Sequence, residues 1–92
     1  MDKAFIGSIV RSKCGRDRKR VFMIVGVCND AESRVLLCDG ELHPMSKPKK
    51  KSLSHITVLA AADEKTTSFL KGCTDMELKS YLCDFEEMRD RG

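Results

Sequence analysis

Apolar and polar positions divide the chain into two regimes, one with strand-like runs and one with helical spacing. In "AFIGSIVRS", residues 4–12, the runs are short and loosely alternating, which predicts a strand with Gly7 at a bulge or close approach. "RVFMIVGVC", residues 20–28, is β-branched and aromatic without a polar break. It reads as a strand buried on both faces. "NDAES" is turn-rich. In "RVLLCDGELHPM", Asp39-Gly40 separates two extended runs and predicts a two-residue hairpin. "SKPKKKS" is expected as a loop with Pro48 stopping any strand, and "LSHITVLA" as the fifth strand.

From residue 62 the period changes. "ADEKTTSFLKG" predicts a short helix capped by Asp63 and stopped by Gly72. A longer helix follows, with Thr74 and Glu77 as a capping box. Leu78, Tyr81, Leu82 and Phe85 fall on one face of it. The fold class expected is mainly β with C-terminal α: a five-stranded barrel over residues 1–60, then one or two helices over 61–92 packed on it. The stripe of Leu78, Tyr81, Leu82 and Phe85 has two readings, a cover for the barrel or a docking site for a protein partner.

Charge sharpens this division. Residues 1–62 carry 12 Lys or Arg against 6 Asp or Glu, a net +6, and residues 63–92 carry 5 against 8, a net −3. A basic body suits a polyanion partner. The positive charge gathers in Lys13, Arg16, Arg18, Lys19 and Arg20, and again in Lys47, Lys49, Lys50 and Lys51. Guanidinium forks and ammonium groups match phosphate oxygens, so both clusters are candidate nucleic-acid contacts, together with His55. None of the five aromatic residues lies inside a cluster. That favours recognition of a folded nucleic acid by backbone and shape over base stacking.

Other chemistries find less support. The five cysteines are odd in number and none form a C-x-x-C pair. Free thiols in a reducing cytoplasm are the expected state. A zinc site built from Cys38, His43 and His55 lacks paired-ligand spacing, so no metal and no cofactor is expected. No nucleophile, base and orienting group can be recognised together, and an enzyme is not expected. No run approaches the length of a membrane span.

The ordered residues of "IGSIVRSKCGRDRKRVFMIV" resemble the KOW motif, a strand-loop-strand element of SH3-like barrels. The matching positions are Ile9 and Val10, Ser12, Gly15, Arg16 with Asp17, and Val21 onward. Gly15 corresponds to the motif's glycine and is expected at positive φ. "LLCDGELHPMSKPKKKSLSHI" is similar to the second half of the fourteen-e family of ribosomal large-subunit proteins and its short bacterial relatives. Asp39, Gly40, Lys47, Pro48, Lys49, Lys50, Lys51 and His55 carry that likeness. It spans residues 5–59, and "TDMELKSYL" is weakly similar to a helix start in the bacterial relatives. The resemblance implies an SH3-like barrel that binds structured, ribosomal RNA. The tail is acidic where many ribosomal proteins carry a long basic extension, so a ribosomal and an accessory RNA-binding role both stay open.

Overall fold

A computed structural model describes residues 6–13, 20–28 and 33–91, with only the backbone of residues 90 and 91. Five strands form one antiparallel sheet: β1 (Ile9–Ser12), β2 (Val21–Val27), β3 (Arg34–Cys38), β4 (Lys49–Ser52) and β5 (Ile56–Ala60). A 3-10 turn, Leu53–His55, separates β4 from β5. Two helices follow, α1 (Glu64–Leu70) and α2 (Asp75–Arg91).

The sheet order is β4-β3-β2-β1-β5. β4 and β5 are therefore opposite edges, yet only the 3-10 turn joins them. Across a flat sheet, four strand spacings would separate those edges by about 19 Å. The step from Ser52 to Ile56 spans at most about 14 Å even fully extended. The sheet must therefore curl. Register irregularities between Ile24 and Gly26 in β2, and opposite Ile9 and Val10 in β5, fit a bent sheet.

Curling gives the sheet two buried faces. Val10, Phe22, Ile24, Val35, Leu37 and Ile56 form a cluster with no helical member, inside the curl. Ile9, Val21, Met23 and Cys38 form a second cluster on the other face, closed by Leu78 and Leu82 of α2. β2 alternates between the two, which is why its sequence shows no polar break. Leu78 and Leu82 are buried in this chain's own core, and Tyr81 and Phe85 pack half-buried against it. Tyr81 also stacks on Phe69 of α1, with ring centroids 4.8 Å apart.

Capping follows the sequence. The Asp63 carboxylate accepts from Thr66 N at 2.9 Å, while Thr66 Oγ1 accepts from Asp63 N at 3.0 Å. Hydrogen bonds donated to its carboxylate, from the Thr66 backbone N–H foremost and then the Thr66 hydroxyl, hold the Asp63 carboxyl below its usual value. At α2, Glu77 Oε1 accepts from Thr74 N and Thr74 Oγ1 from Glu77 N.

Gly7 has φ +100°, and a β-carbon there would lie 2.9 Å from Thr66 Oγ1, a close approach between the start of the sheet and α1.

The chain between residues 38 and 49 differs from the expectation. Asp39-Gly40 is not a two-residue hairpin, and "ELHPM" is not the fourth strand. Residues 39–48 form one long loop between β3 and β4. Asp39 is buried at its start, and Asp39 Oδ1 accepts from the backbone N–H groups of Glu41 and His43, each at 2.9 Å. A side chain thus turns the chain where a strand ladder was expected. Pro44, which has no N–H, suits the loop and not a ladder. The fourth strand is instead the lysine run, expected as a loop. It lies at a sheet edge, where lysine side chains also discourage edge-to-edge pairing.

Candidate nucleic-acid interface

The two basic clusters are built differently. In the first, Lys13 and Arg20 are described, while Gly15, Arg16, Asp17, Arg18 and Lys19 lie outside the described residues. The described chain ends after β1 at Lys13, beyond buried Ser12, and resumes at Arg20, just before β2. Ser12 N donates to Arg20 O at 3.4 Å.

The second cluster is a strand. Lys49 stands opposite Leu37, Lys50 opposite Leu36, and Lys51 opposite Val35. Lys49 and Lys51 are therefore on the face of Val35 and Leu37 and are half-buried, whereas Lys50 is exposed. Lysine stems can cover apolar edge surface while the ammonium stays in water. Lys47 is exposed in the preceding loop, where its N–H donates to Pro44 O at 2.9 Å.

One contact joins the clusters. Ser12 pairs with Ile56, and Lys13 N donates to His55 O at 2.8 Å. The 3-10 turn carries the chain from the lysine strand to this point, and His55 is exposed on it. Lys13, the first residue of the first cluster, thus meets the turn that follows Lys49, Lys50 and Lys51. Leu53 N donates to Ser33 O at 3.0 Å and anchors the start of the same turn.

Arg20 is placed otherwise than the composition of its cluster suggested. Its Nη1 lies 3.2 Å from Asp39 Oδ2 and 3.8 Å from Glu41 Oε1. Lys79 of α2 reaches the same Glu41 at 3.0 Å. Arg20 therefore ties the start of β2 to the 39–48 loop, and its charge is met within the chain. Asp39 and Gly40, singled out as a hairpin, are the other half of this device. The sequence reading missed this link. Its signal was an acid pair, Asp39 and Glu41, in a stretch otherwise poor in acids.

Cys38 and Cys73 serve packing in the cluster beneath α2. Cys28, Cys38, Cys73 and Cys83 are free, and Cys14 lies outside the described residues. Burial foremost, with the negative charges of Asp75 and Asp39 adding to it, pushes the Cys38 thiol up to about 11. Burial likewise raises Cys73, whose Sγ lies 3.5 Å from Met45 Sδ. Among the described residues no group of three or more His, Cys, Asp or Glu is placed to hold a metal ion. No helix among them is long and apolar enough to cross a membrane.

In comparisons with known proteins, no family model and no curated sequence matches this chain.

Proposed function

We propose that the protein binds structured RNA, ribosomal RNA foremost, through the basic loop after β1 and the lysine strand β4. The observation that carries this reading is the 2.8 Å bond from Lys13 N to His55 O. It brings the root of one basic cluster to the turn that leaves the other, so a single phosphate backbone can meet both. Neutralising several phosphates releases counterions and supplies affinity without reading bases. Burial of Phe22 in the core is in keeping with recognition of backbone and shape, because it removes the aromatic nearest the first cluster from any stacking role.

The same proposal takes the curled sheet as an SH3-like barrel carrying a KOW motif, related to the fourteen-e ribosomal family. Its support is the order β4-β3-β2-β1-β5, with the edge strands linked by one 3-10 turn, and the motif residues Ser12, which ends β1, and Gly15, Arg16 and Asp17, which follow it in the sequence. On this reading the protein works in the cytoplasm, on the ribosome or beside it, and its role is binding and not catalysis. Docking of a protein partner on α2 is the weaker reading, because Leu78 and Leu82 already face their own sheet.

Ultraviolet crosslinking in cells, followed by sequencing of the attached RNA, tests the proposal. Enrichment of structured ribosomal segments is expected, with co-sedimentation of the protein with large subunits in a sucrose gradient. Recovery of no RNA above a crosslinked control protein would contradict it.

A further inference from the structure

The two edges of the sheet are not alike. β4, at one edge, carries Lys49, Lys50 and Lys51, and charges of that kind discourage pairing with another strand. β5, at the other edge, reads Ile-Thr-Val-Leu-Ala, with no charge and no proline. It pairs with β1 on one side, and β4 and β5 do not pair with each other.

A strand bonded on one side leaves alternate backbone N–H and C=O groups pointing outward. Among the described residues, Thr57, Val58 and Leu59 make no backbone hydrogen bond beyond the ladder with β1. The middle of the strand is also open on both faces. Val58 stands opposite Val10, on the inner face of the curl, yet Val10 is fully buried while Val58 is 46% exposed. Thr57, on the opposite face, is exposed as well. An edge of this kind takes up a further strand, whose backbone completes the ladder.

The sequence of β5 fits a second copy of itself. Run antiparallel about Val58, it sets Val58 against the partner's Val58, Thr57 against the partner's Leu59 and Ile56 against the partner's Ala60. No charge opposes a like charge, whereas two β4 edges would set lysine against lysine. β5 runs from the basic turn to the acidic start of α1. Antiparallel pairing therefore directs exposed Asp63 and Glu64 of each copy toward the partner's Lys51 and His55. Opposite charges meet at both ends of the pair, as a two-fold contact requires.

We infer that the protein forms a two-fold dimer in which β5 of one copy adds to β5 of another, joining the two sheets into one. The inference goes beyond the RNA-binding reading and does not depend on it. A strand of five residues on each side is a small contact, below the size of standard interfaces, so the dimer is weak and concentration-dependent.

Sedimentation velocity of the full chain, freed of RNA and run over rising concentration, tests this alongside Val58→Lys. Wild type is expected to pass from monomer to dimer. Val58→Lys sets two lysines against each other at the two-fold axis and should dimerise roughly tenfold more weakly. Amide hydrogen exchange at low and high concentration locates the contact. Backbone amides of residues 57–60 are expected to gain protection as concentration rises, while those of β4 do not. A wild type that stays monomeric at every concentration would overturn the inference and leave the edge to an extended segment of a different protein. A dimer that Val58→Lys leaves equally tight would overturn it too. Should Val58→Lys not fold, the exchange measurement on wild type decides: protection gained at β4 or α2 and not at β5 refutes the pairing.

Discussion

Gly40 is packed against the first turn of α2: a β-carbon at Gly40 would collide with the Asp75 carbonyl oxygen and stand 2.9 Å from Lys79 N. Gly40 also has φ +79°. Asp75 Oδ1 in turn accepts from Met45 N at 2.7 Å, so the 39–48 loop is pinned to the helix start at two points. Gly40→Ala is expected to destabilise the protein by about 2 kcal/mol or more, combining the left-handed backbone with the collision. A β-carbon added at Gly72 would meet nothing within 4 Å, and its φ is not left-handed, so Gly72→Ala should leave the urea midpoint level or raise it. Equal midpoints for Gly40→Ala and wild type would refute the packing.

Asp39 has three obligations, to Glu41 N, His43 N and Arg20 Nη1. Asp39→Ala should cost about 2–3 kcal/mol, because two backbone donors and a guanidinium lose their acceptor. Arg20→Gln is expected to lower the melting temperature while changing RNA affinity less than Lys50→Gln does. Measuring both properties on both variants checks this; an Arg20 variant that keeps its stability but binds RNA markedly more weakly would return Arg20 to the interface.

Leu78 is fully buried between α2 and the sheet, whereas Met88 is 73% exposed. Leu78→Ala is expected to cost about 2–5 kcal/mol, and Met88→Ala to stay within about 0.5 kcal/mol of wild type. Chemical denaturation of the two variants distinguishes a helix that completes the core from one held in reserve for a partner. Similar small effects from both would favour the partner.

Thiol reactivity should follow burial. Cys38 combines full burial with a thiol pushed up to about 11. At pH 8 it is almost wholly protonated and shielded, and is expected to be the slowest of the four described cysteines to alkylate, with exposed Cys83 reacting readily. Raising the pH toward 11 in the folded state should speed Cys38 only as far as local opening admits reagent. Mass spectrometry of partly alkylated protein reads the order, and early labelling of Cys38 would contradict its placement.

Local patterns were legible where a single residue decides the conformation. Asp63 and Thr74 mark the two helix starts, and the spacing of Leu78 and Leu82 gives the buried face of α2. The unbroken apolar run of β2 announced a strand covered on both sides. The fourth strand was not legible. Lys49, Lys50 and Lys51 have no strand preference of their own, and only pairing with Val35, Leu36 and Leu37 makes them one. Asp39-Gly40 misled because the same dipeptide serves a tight hairpin or a side-chain-turned loop, and long-range contacts with Arg20 and Asp75 decide between them. In the interface, charge counting found the lysine strand but could not tell Arg20, already neutralised, from Lys13.

The central claim is that the lysine strand and the basic loop form one surface for RNA phosphates. The most direct measurement is the salt dependence of binding to a structured RNA hairpin by the full chain. With roughly five to seven phosphates neutralised, log K should fall against log salt with a slope of about −3.5 to −6. A combined Lys49→Gln, Lys50→Gln and Lys51→Gln variant should then be shallower by about two to three. A wild-type slope near zero, or no binding to any structured RNA at low salt, would contradict the account.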